Sequence, residues 1–198
     1  MSAVDVSAFA GLTAMVLLTL NILMGLLVST NYQPARQWPH RRLPWPLFRI
    51  HNWTGYSALA VAALHPLTLL LSSTAKFRII DVLWPLASPG QRLYNVLGAL
   101  TFYSFTLVVT TSYLRPKLGS RTWKKLHYTA YFAAAVMFVH GTLIDQNLKG
   151  EVPDFFDGEK VLVEGCFLLV LFASLWRARY GSEKKRQLAA ATSPGRRP

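Results

Sequence analysis

Four of the five histidines in this 198-residue chain fall inside apolar, helix-length runs, where an imidazole is costly unless it has a partner. The run from His51 to Pro66, H-N-W-T-G-Y-S-A-L-A-V-A-A-L-H-P, carries one near each end. The run from His127 to His140, H-Y-T-A-Y-F-A-A-A-V-M-F-V-H, repeats the arrangement. Imidazole is both a metal ligand and a proton carrier. Two imidazoles from separate helices, brought to one level, can fill both axial positions of a haem iron, which suits electron transfer rather than oxygen binding. We therefore read His51, His65, His127 and His140 as axial ligands of two haems. The competing reading is a haem-free membrane scaffold whose histidines only hold helices together.

The composition agrees with burial in a bilayer. Residues are 52% hydrophobic and only 15% charged, against about 25% charged in an ordinary soluble domain, and the mean hydropathy is +0.28. The formal charge is nevertheless +12. Such an excess can mark nucleic acid or a membrane surface; with several apolar runs of about 20 residues, the membrane lipid is the partner expected and nucleic acid is not. The single cysteine, Cys166, allows no intrachain disulfide, no iron–sulfur cluster and no C-x-x-C-H attachment, so any haem is b type, held without a covalent bond.

Stepping along the chain, apolar spans run from about Ala8 to Ser29, Phe48 to Ser73, Leu93 to Leu114, Trp123 to Ile144 and Val161 to Trp176. The first has Asp5 and no basic residue before it, unlike a cleaved secretory signal. Asn21, in its middle, reads as a hydrogen-bonding link to a neighbouring helix. The connections after spans one and three, with the C-terminal segment, hold 16 of the 21 Lys and Arg residues. The positive-inside rule then sets the N-terminus outside and the C-terminus in the cytoplasm, as an odd number of spans requires. The expected architecture is an all-α integral membrane bundle of five transmembrane helices, multi-pass in the cell membrane. Residues 1–180 form the haem domain, and residues 181–198 form a basic, disordered cytoplasmic tail.

In that topology spans two and four run parallel, which sets His51 level with His127 on the inner side and His65 level with His140 on the outer side. Steps of 14 and 13 residues correspond to about 21 and 20 Å along a helix. Fourteen residues return to within about 40° of the starting direction, so His51 and His65 share a face. Thirteen leave an offset of about 140°, so His127 and His140 need local tightening, a bulge or a tilt.

The stretch H-N-W-T-G-Y-S-A-L-A-V-A-A-L-H resembles the first haem helix of the ferric reductase-like transmembrane domain family, which includes the membrane parts of ferric reductases and NADPH oxidases. T-T-S-Y-L-R-P-K-L-G-S-R-T-W-K-K-L-H-Y-T-A-Y resembles the approach to its second haem helix. The resemblance covers about residues 48 to 145. It implies two stacked b haems, the inner on His51 and His127 and the outer on His65 and His140, with Gly55, Ser112, Trp123 and Tyr131 around them. The unequal 14 and 13 spacing is a feature of that family. Two departures stand out. Family members commonly have six spans, and the one missing here precedes the first. Larger members continue into a flavin and NAD(P)H domain, for which no G-x-G-x-x-G is present here, so no FAD or NAD(P)H is expected on this chain.

The function implied is that of an electron-transfer subunit, carrying electrons from a cytoplasmic-side donor, a flavoprotein reductase or a quinol, to an unidentified outer-face acceptor. The alternative within the family is a quinol-oxidising haem subunit of a periplasmic reductase system, as in bacterial methionine-sulfoxide reduction. Arg49 and Arg121, with Lys124 and Lys125, lie within a turn or two of the inner histidines and suit haem propionates, and Arg92 is the outer counterpart. Trp53, Tyr128, Tyr131, Phe132 and Phe138 are candidates for the haem edges. Pro66 can kink its helix and aim His65. Glu164 is expected to pair with Lys160 four residues earlier, and His40 reads as an interfacial residue.

Overall fold

The computed structural model describes residues 1–30, 47–145 and 154–192, with side chains through Glu183. The described residues are helical, without strands: α1 (Ala3–Thr30), α2 (Leu47–Leu69), α3 (Ile79–Leu83), a 3-10 turn (Pro85–Ala87), α4 (Arg92–Tyr113), α5 (Arg115–His127), α6 (Thr129–Leu143) and α7 (Gly158–Thr192). His40 and the basic residues Arg36, Arg41 and Arg42 lie outside the described residues. Among the described residues, three helices are long and apolar enough to cross a membrane: α1, α4 and α7 as far as Glu183. The helices that carry the four paired histidines, α2, α5 and α6, are not among them. α6 has only 15 residues, and α2 carries Arg49, His51, Asn52 and His65 in its 23.

Local chemistry sets the element ends. α1 opens on a capping box, in which the Asp5 amide donates to Ser2 Oγ (3.1 Å) and the Ser2 amide donates back to the Asp5 carboxylate (2.6 Å). The connection between α4 and α6, expected as a basic loop, is helical over most of its length. α5 starts with Pro116 in its first turn and bends at Gly119, whose φ of 73° is the left-handed conformation that glycine adopts without a Cβ penalty. α7 carries on through Thr192, where a tail was expected from residue 181. The stretch S-E-K-K-R-Q-L-A-A-A is polar but rich in strong helix formers, so low hydropathy does not end the helix there.

The helices pack as two antiparallel hairpins and a fifth helix. α1 lies along α2, with Ser7 beside His65 and Asn21 beside His51. α4 lies along α6, with Tyr94 beside His140, and meets the last residue of α5, with Ser112 beside His127. α7 runs alongside α1, where Arg177 donates to Ser29 Oγ (2.6 Å), and against α6. Its Lys160 does not pair with Glu164. The ammonium donates to the carbonyls of Gly141 (3.0 Å) and Ile144, at the end of α6. Those carbonyls have no partner within their own helix, and a cation is favoured at that negative end of the helix dipole.

The connection from α2 to α4 folds back over one end of the bundle. Tyr103 donates to the Leu83 carbonyl, and Asp81, only 2% exposed, accepts from the Arg78 backbone amide (3.0 Å) and guanidinium (3.1 Å). Those bonds, the guanidinium first, hold the Asp81 carboxyl below its usual pKa. A lowered folded-state value means the contribution is complete above the unfolded value of about 3.9 and is lost as pH falls through the folded one. Amide protection over residues 79–84 is therefore expected to hold at neutral pH and to fall in acid below about pH 4. In an Asp81→Asn chain the protection should already be low at pH 7, and hydrogen exchange reads both.

Candidate metal centre

Each of the four helix-borne histidines is anchored through the same ring nitrogen. His51 Nδ1 lies 3.0 Å from the Asn21 carbonyl, His65 Nδ1 2.7 Å from the Ser7 carbonyl, and His140 Nδ1 2.7 Å from the Tyr94 carbonyl. His127 Nδ1 lies 3.2 Å from Ser112 Oγ. A carbonyl oxygen can only accept, so in the first three Nδ1 carries the proton and Nε2 keeps its lone pair. No hydrogen bond reaches any of the four Nε2 atoms among the described residues. This is the arrangement of a metal-ligating histidine, whose second nitrogen donates outward and fixes tautomer and ring orientation.

The backing helix clasps each histidine of α2 in return. Ser7 Oγ donates to the His65 carbonyl (2.8 Å), and Asn21 Nδ2 donates to the His51 carbonyl and to Thr54 Oγ1 (2.9 Å). Asn21 is thus the inter-helix link expected of it, and it also orients His51. Gly55 serves this contact, since a Cβ there would lie 3.2 Å from Asn21 Nδ2.

The anchors obey a rule of position. An α-helical carbonyl at residue i already bonds the amide of i+4, and an imidazole that shares it must lie across the side-chain position at i+4. Glycines stand there: Gly11 after Ser7, Gly25 after Asn21 and Gly98 after Tyr94. Added Cβ atoms would meet His65 Cε1 at 3.0 Å, His51 Cε1 at 3.1 Å and His140 Cε1 at 2.8 Å. In α1 the two anchors are 14 residues apart, matching the step from His51 to His65. These carbonyls and glycines were not singled out from the sequence, although the repeat Ser7-x-x-x-Gly11, Asn21-x-x-x-Gly25 is visible in it.

The imidazoles come together two by two. The rings of His51 and His127 have centroids 6.4 Å apart at 71°. Two imidazoles on opposite sides of one metal, with bonds of about 2.0 Å, have ring centres about 6.3 Å apart. His65 and His140 both line a cavity of about 360 Å³ that also touches Gly11, Gly98, Thr101 and Asp145. Between the two pairs lies an apolar layer that includes Leu18, Ala58, Phe105 and Ala134; Ala58 falls midway in sequence between His51 and His65, and Ala134 between His127 and His140. The chemistry of the donors fits a bis-imidazole metal site at each pair, and the ring spacing of His51 and His127 agrees with one.

The 13-residue step is not one uniform helix. His127 is the last residue of α5 and Thr129 the first of α6; across the junction the Tyr131 amide bonds the Tyr128 carbonyl (3.1 Å), a tight three-residue closure. His127 and His140 both reach α4 in consequence.

Of the other expected residues, Ser112 and Trp123 join His127. Trp123 packs against the His127 ring (centroids 5.0 Å) and its Nε1–H donates to Ser112 Oγ (3.3 Å). Arg49 and Arg121, near His51 and His127 in sequence, and Arg92, at the other end of the bundle, are exposed. Trp53 is 63% exposed and turned two residues round α2 from His51, where it meets Tyr56 edge-on. Tyr131 stacks on Tyr128 (6.2 Å) at the surface. Among the described residues, no hydrogen bond or ring contact joins these five to the four imidazoles.

A family model described as ferric reductase like transmembrane component matches residues 10–138, from within α1 to two residues short of His140. No curated protein and no solved structure matches the chain.

Proposed function

We propose, from the premise that the chain belongs to the ferric reductase-like transmembrane component family, that it carries electrons across a membrane with two b haems. His51 and His127 would hold one and His65 and His140 the other. The observation that carries this reading is the shared anchoring of the four rings through Nδ1, which on the three carbonyl-bound rings leaves Nε2 with its lone pair. When bound, haem supplies a one-electron ferric–ferrous couple. The chain's part would be to hold the four histidines on their backing helices, Nε2 free for the haem iron, and to keep water out of the layer between them. Asn21, Ser7 and Tyr94 orient rings without touching iron, and the three glycines let those rings lie flat on their backing helix.

In this reading α1, α2, α4, α6 with the last turn of α5, and α7 cross the bilayer. The helix α2 can be polar for a span because α1 and the haems screen its histidine face. The end bearing His51 and His127 also bears Arg115, Lys117, Arg121, Lys124, Lys125, Arg177 and Arg179. That bias makes it the cytoplasmic end, with the N-terminus outside and the C-terminus inside. Electrons enter there from a flavoprotein or quinol and leave beside His65 and His140.

A reduced-minus-oxidised absorption spectrum of the purified chain, with haem released and quantified, tests the proposal. Two non-covalent b haems per chain are expected. A colourless protein sinks it, and so does a preparation whose haem content is unaffected when all four histidines are replaced.

A further inference from the structure

Three of the four imidazoles rest on a backbone carbonyl across a glycine, and the fourth does not. In α4 the outer anchor is Tyr94 with Gly98; fourteen residues on, the equivalent pair is Val108 with Ser112. Ser112 Oγ donates to the Val108 carbonyl (2.7 Å), the bond that His127 would otherwise make. Having spent its only proton, the hydroxyl is left as an acceptor, and it receives both His127 Nδ1–H (3.2 Å) and Trp123 Nε1–H (3.3 Å). Trp123 is held in turn by the Arg115 guanidinium, 4.3 Å above its ring. At 3.2 Å the His127 bond is the longest of the four, against 2.7 Å for His65 and His140 and 3.0 Å for His51, and a longer bond of this kind is weaker.

We propose that Ser112 is a positioning residue that makes His127 the least basic of the four axial ligands and so sets the His51–His127 site at a higher reduction potential than a carbonyl anchor would. The proposal rests on the two-haem reading and deepens it. A strong outward N–H···O bond leaves more negative charge on the ring, which favours ferric iron; a weak one favours ferrous iron. Trp123 contributes by occupying the second acceptor site of the hydroxyl, which keeps Ser112 from turning its proton toward His127.

Two substitutions separate this from a packing role, because they act in opposite directions. Ser112→Gly recreates the Gly98 arrangement and lets His127 settle on the Val108 carbonyl. Ser112→Ala removes the hydroxyl but leaves a Cβ between the ring and that carbonyl, so Nδ1–H has no acceptor. In potentiometric titrations of the full haem-loaded chain, one of the two midpoint potentials is expected to fall in Ser112→Gly and to rise in Ser112→Ala. The other midpoint, and the count of two haems, should stay as in the wild type. In a His65→Ala background the sole remaining step should show the same two shifts. Unmoved midpoints, shifts of one sign in both variants, or movement of both steps together overturn the proposal while leaving the two-haem reading intact. A wild-type chain without haem overturns both.

Discussion

A His65→Ala chain is expected to hold one haem instead of two, with the remaining site spectroscopically unchanged. The fold should survive the substitution. What the protein loses is the bond from Nδ1 to the Ser7 carbonyl (2.7 Å), a net contribution of about 0.5–1.5 kcal/mol. The return bond from Ser7 Oγ runs to the His65 backbone, which alanine keeps. The other ring of that site, on His140, stays on the Tyr94 carbonyl (2.7 Å) and becomes the only protein ligand there. At the far end, His51 keeps Asn21 and His127 keeps Ser112, fourteen and thirteen residues away along their helices. The layer of Leu18, Ala58, Phe105 and Ala134 separates the two events. Released haem, measured per chain, should therefore drop by half. His51→Ala should give the mirror result, removing the other haem. Loss of both haems in either variant, or of neither, would mean that the pairs are not independent sites.

The all-helical architecture was legible because the apolar runs are long and their breaks are marked by proline, glycine and charge. The histidines stood out for a different reason. Imidazoles in hydrocarbon need partners, so their spacing carries information that a stripe of leucines does not. Their anchors did not stand out, because three of the four are backbone carbonyls. Ser7, Asn21 and Tyr94 accept through atoms that every residue possesses, so residue type does not betray them. Only the glycines four positions later register the contact in the sequence, and Gly11 and Gly25 read as ordinary small residues in an apolar span. The break at Tyr128 was hidden too. Its closure is a backbone event, and T-A-Y-F-A-A continues the pattern of a span across it. Lys160 was misassigned to Glu164 because local spacing favours the i, i+4 pair, whereas the end of α6 offers two unpaired carbonyls to the same ammonium.

Substituting the anchoring glycines is expected to empty sites selectively, in an order set by the space each ring leaves. At Gly98 a Cβ would stand 2.8 Å from His140 Cε1 and 3.1 Å from Nε2, closer than side chains pack. Gly98→Ala must therefore push the ring off α4, and the movement is paid at the nitrogen that faces the metal. Gly98→Val adds two more carbon atoms in the same place. Neither change strains the backbone, since Gly98 is mid-helix, and alanine there would otherwise stabilise a helix by about 0.8–1.0 kcal/mol. Loss of haem with a folded chain is thus the diagnostic combination. Gly11 and Gly25 leave slightly more room, 3.0 Å to His65 and 3.1 Å to His51, so alanine there should weaken retention less than at Gly98. Gly98 and Gly11 face the rings of His140 and His65 and Gly25 that of His51, so on the two-haem proposal the first two should empty one site and the third the other. Gly90, with nothing within 4 Å of the added atom, is the control and should be silent. Haem retained per chain after repeated washing, read beside the helical circular dichroism of each variant, checks the series. Full occupancy in Gly98→Val would mean that the ring does not lie across α4 when iron is bound, and the rule linking carbonyl i to glycine i+4 would fail with it.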